Sequence, residues 1–130
     1  MKLPIQLSKD SREPIYHQIE QQLKALIAGG HLEAGSALPS IRVLSKDLGV
    51  SVITTRRAYQ NLENNGFIET IQGKGTFVAA VDRQVKDATK ETAIYEAFKQ
   101  AVEIAMNYDY TIEDIEKILK KIFTEYGRGD

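Results

Sequence analysis

The side chains able to do chemistry in this 130-residue chain are few and mostly of one kind. Between residues 36 and 79 lie five bases, Arg42, Lys46, Arg56, Arg57 and Lys74, against three acids, Asp47, Glu63 and Glu69, a net charge of +2. Residues 1–35 are net 0 and residues 80–130 net −3, so the overall −1 conceals a basic middle. Guanidinium and ammonium groups gathered in one stretch suit phosphates and the acceptor edge of guanine. Other chemistries lack their residues. There is no cysteine, hence no disulfide, thiolate nucleophile or cysteine-built zinc site. His17 and His31 stand fourteen residues apart with no motif joining them and read as surface histidines. The run Gly73-Lys74-Gly75-Thr76 is not a phosphate-binding loop of the nucleotide-hydrolysing kind. Ile68 occupies the place of its first glycine, and Gly75 that of its hydroxyl residue. With no nucleophile elbow either, no enzyme, cofactor or metal site is expected.

Hydrophobic residues make up 42% and charged residues 27%, the balance of a chain that folds in water around one modest core. No apolar run approaches the roughly 18 residues of a membrane span, and Met1 to Gln6 lacks the apolar centre of a secretory signal, so a cytoplasmic protein without membrane contact is expected.

The bases need elements to hold them. From Pro14, Ile15, Ile19, Leu23, Leu26 and Ile27 recur at spacings of three and four, which predicts a helix over 14–28 stopped by Gly29-Gly30. Leu32 and Leu38 anchor the connection that follows. Ser40 caps a short helix in which Ile41, Leu44 and Leu48 face one way and Arg42 and Lys46 another; Gly49 ends it. Ser51 caps the next helix, which runs to Gly66. At 100° per residue Thr55, Ala58, Tyr59 and Leu62 gather on one side, Ile53, Arg57 and Gln60 lie opposite, and Arg56 lies between. Two helices joined by so short a turn, the second presenting arginines, read as a helix-turn-helix. The β-prone runs 67–71 and 76–80 around Gln72-Gly73-Lys74-Gly75 then make a hairpin, a wing whose small residues let the backbone approach phosphate.

Residues 80–90 show little pattern and read as a hinge or a weak helix start. The expected domains are therefore 1–79 and 80–130. Beyond the hinge two helices follow, the second opened by a Thr111/Asp114 capping box. Ile94, Phe98, Val102, Ile115, Ile118, Leu119, Ile122 and Phe123 offer more apolar surface than two helices can cover by themselves, which points to a second copy of the chain as their cover. The closing Arg128-Gly129-Asp130 matches an integrin-binding tripeptide by letters alone and is taken as chance.

The stretch from Pro14 to Ala79 closely resembles the DNA-binding domain of the GntR family of bacterial transcription regulators. The matching pieces are Pro14-Ile15-Tyr16, Gly35 to Pro39, Arg42 with Leu44, Leu48 to Ser51, Arg56 to Tyr59, Leu62, Gly66 and the wing from Gly73 to Phe77. The short two-helix tail resembles the YtrA-like subfamily, a resemblance that implies control of transporter genes. The expected fold class is α+β, mostly helical: a winged helix-turn-helix followed by a two-helix C-terminal dimerisation segment. The resemblance implies that Arg42 and Arg56 contact DNA and that Gly73 lies against the minor groove. Lys46, Ser51, Val52, Ile53, Thr54, Arg57, Gln60 and Lys74 complete the expected DNA-facing set. One departure stands out. Where many family members carry a basic or polar residue after the turn serine, this chain has Val52 and Ile53, apolar side chains that can touch thymine methyl groups. The expected function is a homodimeric regulator, a repressor, on a pseudo-palindromic double-stranded DNA operator, with no effector identified. The competing expectation is a winged-helix module that meets an acidic protein and has no operator.

Overall fold

The computed structural model describes residues 2–127, so the terminal Arg128-Gly129-Asp130 lies outside the described residues. Pro14 precedes helix α1 (Ile15–Ala28), where its missing amide costs nothing and its carbonyl accepts from the amides of His17 and Gln18 at 3.0 and 3.1 Å. There follow a two-residue strand β1 (Ala37–Leu38), helices α2 (Ile41–Leu48) and α3 (Val52–Asn64), the hairpin β2 (Ile68–Ile71) and β3 (Gly75–Val78), and helices α4 (Arg83–Asn107) and α5 (Ile112–Glu125). The sheet is antiparallel in the order β1-β3-β2, with Leu38 opposite Thr76 and Glu69 opposite Phe77. This is the winged helix-turn-helix and helical tail that the sequence implies. No helix among the described residues is long and apolar enough to cross a membrane.

The core joins Ile19, Leu23 and Ile27 of α1, Leu44 of α2, Ala58, Tyr59 and Leu62 of α3, Phe67 and Ile68 at the start of the wing and Val78 at its end. Leu32 and Leu38 are buried, as their role of anchors required. So are Leu3 and Ile5, which the helical periodicity of the chain gave no reason to place there. Their segment has no regular structure, and its backbone is satisfied by two glutamines of α1. The Gln6 amide donates to Gln22 Oε1 (2.9 Å) and Gln22 Nε2 donates to the Gln6 carbonyl (2.7 Å). One step further on, the Ser8 amide donates to Gln18 Oε1 (2.8 Å), while Gln18 Nε2 donates to the carbonyls of Ser8 and Glu13, both at 2.9 Å. Each carboxamide thus does what a neighbouring strand's peptide group would do. The spacing fits, because four residues of helix rise about 6 Å and two residues of extended chain about 7 Å.

The chain divides into two compact units, Met1–Lys90 and Glu91–Asp130, and the division falls inside α4. Of the two readings of residues 80–90, a hinge or a weak helix start, the structure shows helix from Arg83 onward. No glycine or proline interrupts that stretch, the Lys86 amide donates to the Asp82 carbonyl (2.9 Å), and the Thr89 hydroxyl donates to the Val85 carbonyl (2.7 Å). In the second unit Asp109, at φ 63°, turns the chain between α4 and α5. Thr111 and Asp114 form the expected capping box, the Asp114 amide donating to Thr111 Oγ1 (3.2 Å) and the Thr111 amide to Asp114 Oδ2 (3.0 Å).

Gln18→Ala removes three hydrogen bonds that tie down the N-terminal segment. It is expected to lower stability by about 1–3 kcal/mol and to open the chain near Ser8 to limited proteolysis. Urea denaturation with mass mapping of the cleavage sites measures both, and an unchanged midpoint with an uncut segment would refute the role given to this side chain.

Candidate nucleic-acid interface

Two serines and a glycine set the geometry of the helix pair. Ser40 Oγ accepts from the Val43 amide (3.1 Å) and starts α2. Gly49 ends it in the left-handed conformation, φ 68°, which lets its amide and that of Val50 bond back to the last turn, the latter to the Ser45 carbonyl at 3.0 Å. A side chain at position 49 would meet no neighbour, so the need for glycine there is conformational rather than one of space. Ser51 then caps α3, its Oγ accepting from the Thr54 amide (3.1 Å) and donating to Thr54 Oγ1 (2.8 Å). Between the helices the Ser45 hydroxyl donates to the Ile41 carbonyl (2.7 Å), and its oxygen lies 2.8 Å from the Oγ1 of Thr55, which is wholly buried. This buried hydroxyl pair holds α2 against α3.

The inner side of α3 is the one expected: Thr55, Ala58, Tyr59 and Leu62 are buried. Tyr59 belongs to the core, with its hydroxyl donating to the Pro39 carbonyl (2.7 Å). Burial pushes its pKa up, so that it remains a donor. On the outer side Ile53, Arg57 and Gln60 lie opposite the core and Arg56 beside them, all four exposed; Ile53, Arg56 and Gln60, at positions i, i+3 and i+7, form one crest. Arg42 and Lys46, one turn apart, are exposed on α2. In the wing the Lys74 amide closes the turn onto the Ile71 carbonyl (2.9 Å), Gly73 takes φ 80°, and the Lys74 side chain is exposed. Ser51 and Val52 are exposed at the start of α3, and Thr54 is half-buried.

Arg57 is placed differently from its neighbour Arg56. Its guanidinium lies 3.8 Å from the centre of the Tyr16 ring on α1. One turn along, Asn61 Nδ2 donates to Glu20 Oε1, and Glu20 is 6% exposed. Tyr16 and Glu20 on α1 and Arg57 and Asn61 on α3 are thus two pairs four residues apart that clasp the helices along one flank. Sequence reasoning missed Tyr16, Glu20 and Asn61 in this role. Glutamate in the otherwise apolar repeat of α1 was the only available signal, since a buried carboxylate needs a partner.

A profile of the family described as "Bacterial regulatory proteins, gntR family" matches residues 15–78. The HTH-type transcriptional repressor YtrA of Bacillus subtilis (strain 168) is 34% identical over 125 residues, 96% of each chain. Among solved structures, a GntR family transcriptional regulator from Listeria monocytogenes superposes with TM-score 0.71 at 28% identity, covering 86% of this chain and 97% of that one. The DNA-binding domain of AraR, solved in complex with operator ORX1, superposes with TM-score 0.50 at 32% identity over 61% of this chain and 92% of that one.

The stacked pair Arg57 and Tyr16 predicts a coupling free energy of about 0.5–1 kcal/mol in a double-mutant cycle of Arg57→Ala and Tyr16→Leu, read from thermal or urea unfolding. Additive single effects would mean that the two groups touch without attraction.

Proposed function

The chain belongs to the GntR family of bacterial regulatory proteins and is a transcription regulator with a winged-helix DNA-binding domain, and we propose that it is a repressor that binds a pseudo-palindromic operator as a homodimer in the cytoplasm. The observation that carries the proposal is the state of four bases. Arg42 and Lys46 on α2, Arg56 on the crest of α3 and Lys74 at the wing tip are exposed, and none of them is in an ion pair among the described residues. A cation left without a protein acid is available to phosphate. In this reading α3 enters the major groove, Arg56 contacts a base edge or phosphate beside it, and Arg42 and Lys46 track the backbone. Gly73 allows the wing's backbone to approach the minor groove while Lys74 supplies charge. Arg57, stacked on Tyr16, fixes α3 against α1 and offers its outer edge to phosphate.

The tail supports the homodimer. Neither α4 nor α5 has a buried residue. Ile94, Phe98, Val102, Ile118, Ile122 and Phe123 are exposed, with Ile115 and Leu119 only half-covered. An apolar groove of about 440 Å³, lined by Ala101, Ile104, Ala105, Tyr108, Tyr110 and Ile118, adds to that surface. Contiguous apolar area of this kind is covered by a partner in most proteins that fold in water, and a second identical tail presents the same chemistry. Two recognition helices joined in this way would reach half-sites roughly 34 Å, or a multiple of it, apart.

Arg56→Ala is expected to weaken operator binding about ten-fold or more with the fold intact, since a bidentate arginine contact to guanine is worth about 1–3 kcal/mol. Fluorescence anisotropy at fixed salt on the chain's own promoter fragment measures it, and unchanged affinity would remove Arg56 from the interface. Phe98→Glu and Ile118→Glu place charge in the proposed tail contact and are expected to give monomers with much weaker operator binding. Sedimentation velocity decides the matter. A wild-type monomer at micromolar concentration, or variants that stay dimeric, would overturn the tail's role.

A further inference from the structure

The first turn of α3 is where a recognition helix meets base edges, and here it offers little that can hydrogen-bond. Ser51 uses its proton on Thr54 Oγ1 and an acceptor site on the Thr54 amide, while Thr54 is half-buried. What faces outward is Val52 and, at the head of the crest, Ile53, the latter 76% exposed. An isoleucine left in water beside exposed arginines has no role in the chain's own packing: it lies on the side of α3 opposite Thr55, Ala58, Tyr59 and Leu62. The bases around it exclude an apolar protein partner as its natural cover and favour a polyanion. Only one feature of the major-groove edge of DNA is apolar, the C5-methyl group of a pyrimidine.

We propose that Ile53, assisted by Val52, is a specificity-determining residue that selects a C5-methylated pyrimidine in each half-site, next to the base or phosphate taken by Arg56. The inference rests on the DNA-binding reading above and adds to it the chemical group that is read. Because the contact is to a methyl group and not to a donor or acceptor, it accepts thymine and 5-methylcytosine alike and discriminates against uracil and cytosine. The discrimination arises from desolvation of one methyl group, worth about a four-fold change in affinity per site.

The test uses the full chain and the duplex from its own promoter that it retains in a gel shift. Each thymine of the protected half-site is replaced in turn by deoxyuridine, which removes the methyl group and leaves the hydrogen-bonding edge unchanged. At one or two positions per half-site the wild type is expected to lose about three- to five-fold in affinity. At the same positions a C·G pair carrying 5-methylcytosine is expected to bind more tightly than unmethylated C·G by a similar factor. Ile53→Ala, whose site on the exposed crest makes the fold safe, is expected to shrink both ratios to below about two-fold, and circular dichroism verifies that it is folded. A wild type that binds its duplex with Arg56 dependence but without any effect of deoxyuridine would overturn this inference and leave the DNA-binding reading standing. Methyl dependence that survives in both Ile53→Ala and Val52→Ala would overturn the assignment to these residues. Failure to retain any promoter fragment would overturn both readings.

Discussion

The packing of α3 against α1 and α2 is the constraint on which the rest of the structure depends. A helix has one orientation about its own axis only when one side of it has no alternative position. Here that side is made by Thr55, Ala58, Tyr59 and Leu62, set against Ile19, Leu23, Ile27 and Leu44. Rotating α3 by a third of a turn would bury Arg56 and expose Leu62, a change that costs far more than a small domain has to lose. The buried hydroxyls of Ser45 and Thr55 on the α2 side, and the Arg57–Tyr16 and Asn61–Glu20 pairs on the α1 side, fix the helix from both flanks. The crest of Ile53, Arg56 and Gln60 is the residue of that arrangement: it is outward because everything else is held inward.

Much of this was legible in the order of residue types. Ser40 and Ser51 announce their helices because a hydroxyl at that position satisfies an amide that otherwise has no partner, and Gly49 announces an end because few other residues take its backbone angles. The buried side of α3 follows from helical geometry. What could not be read lies in contacts between distant segments. Burial of Leu3 and Ile5 goes with the hydrogen bonds of Gln18 and Gln22, which look like ordinary surface residues until the irregular segment they satisfy lies beside them. The strand β1 is two residues long and exists only through its pairing with β3. Helical geometry sets Arg57 opposite the core and Arg56 to one side, but the ring on another helix that Arg57 stacks on is not visible in it. The start of α4 cannot be told from a hinge by sequence because residues 83–90 carry no apolar rhythm, although nothing in them opposes a helix.

The two units differ in how completely they satisfy themselves. The first closes its core with fifteen buried apolar residues among those described, Leu3 through Val78. The second consists of helix alone and leaves its large side chains in water. A homodimer would remove that difference by completing the second unit with its own copy, so that the ability to bind two half-sites and the ability to hide the tail would be gained in one step.

Apart from the Arg57–Tyr16 stack, the polar joints inside the first unit are mostly between neutral groups. Gln18 and Gln22 hold the N-terminal segment, hydroxyls join α2 to α3, Tyr59 reaches a carbonyl, and the one buried carboxylate, Glu20, is met by an amide. The His17–Glu13 contact (3.3 Å) and the Arg83–Asp87 ion pair are both on the surface. Dissolved ions screen full charges at a distance and leave short contacts between neutral dipoles nearly untouched. Scaffold and outer face therefore respond to different variables. A rise in ionic strength reaches the free cations of α2, α3 and the wing while the frame that aims them keeps its shape, so a protein of this build can release a polyanion and take it up again without unfolding in between.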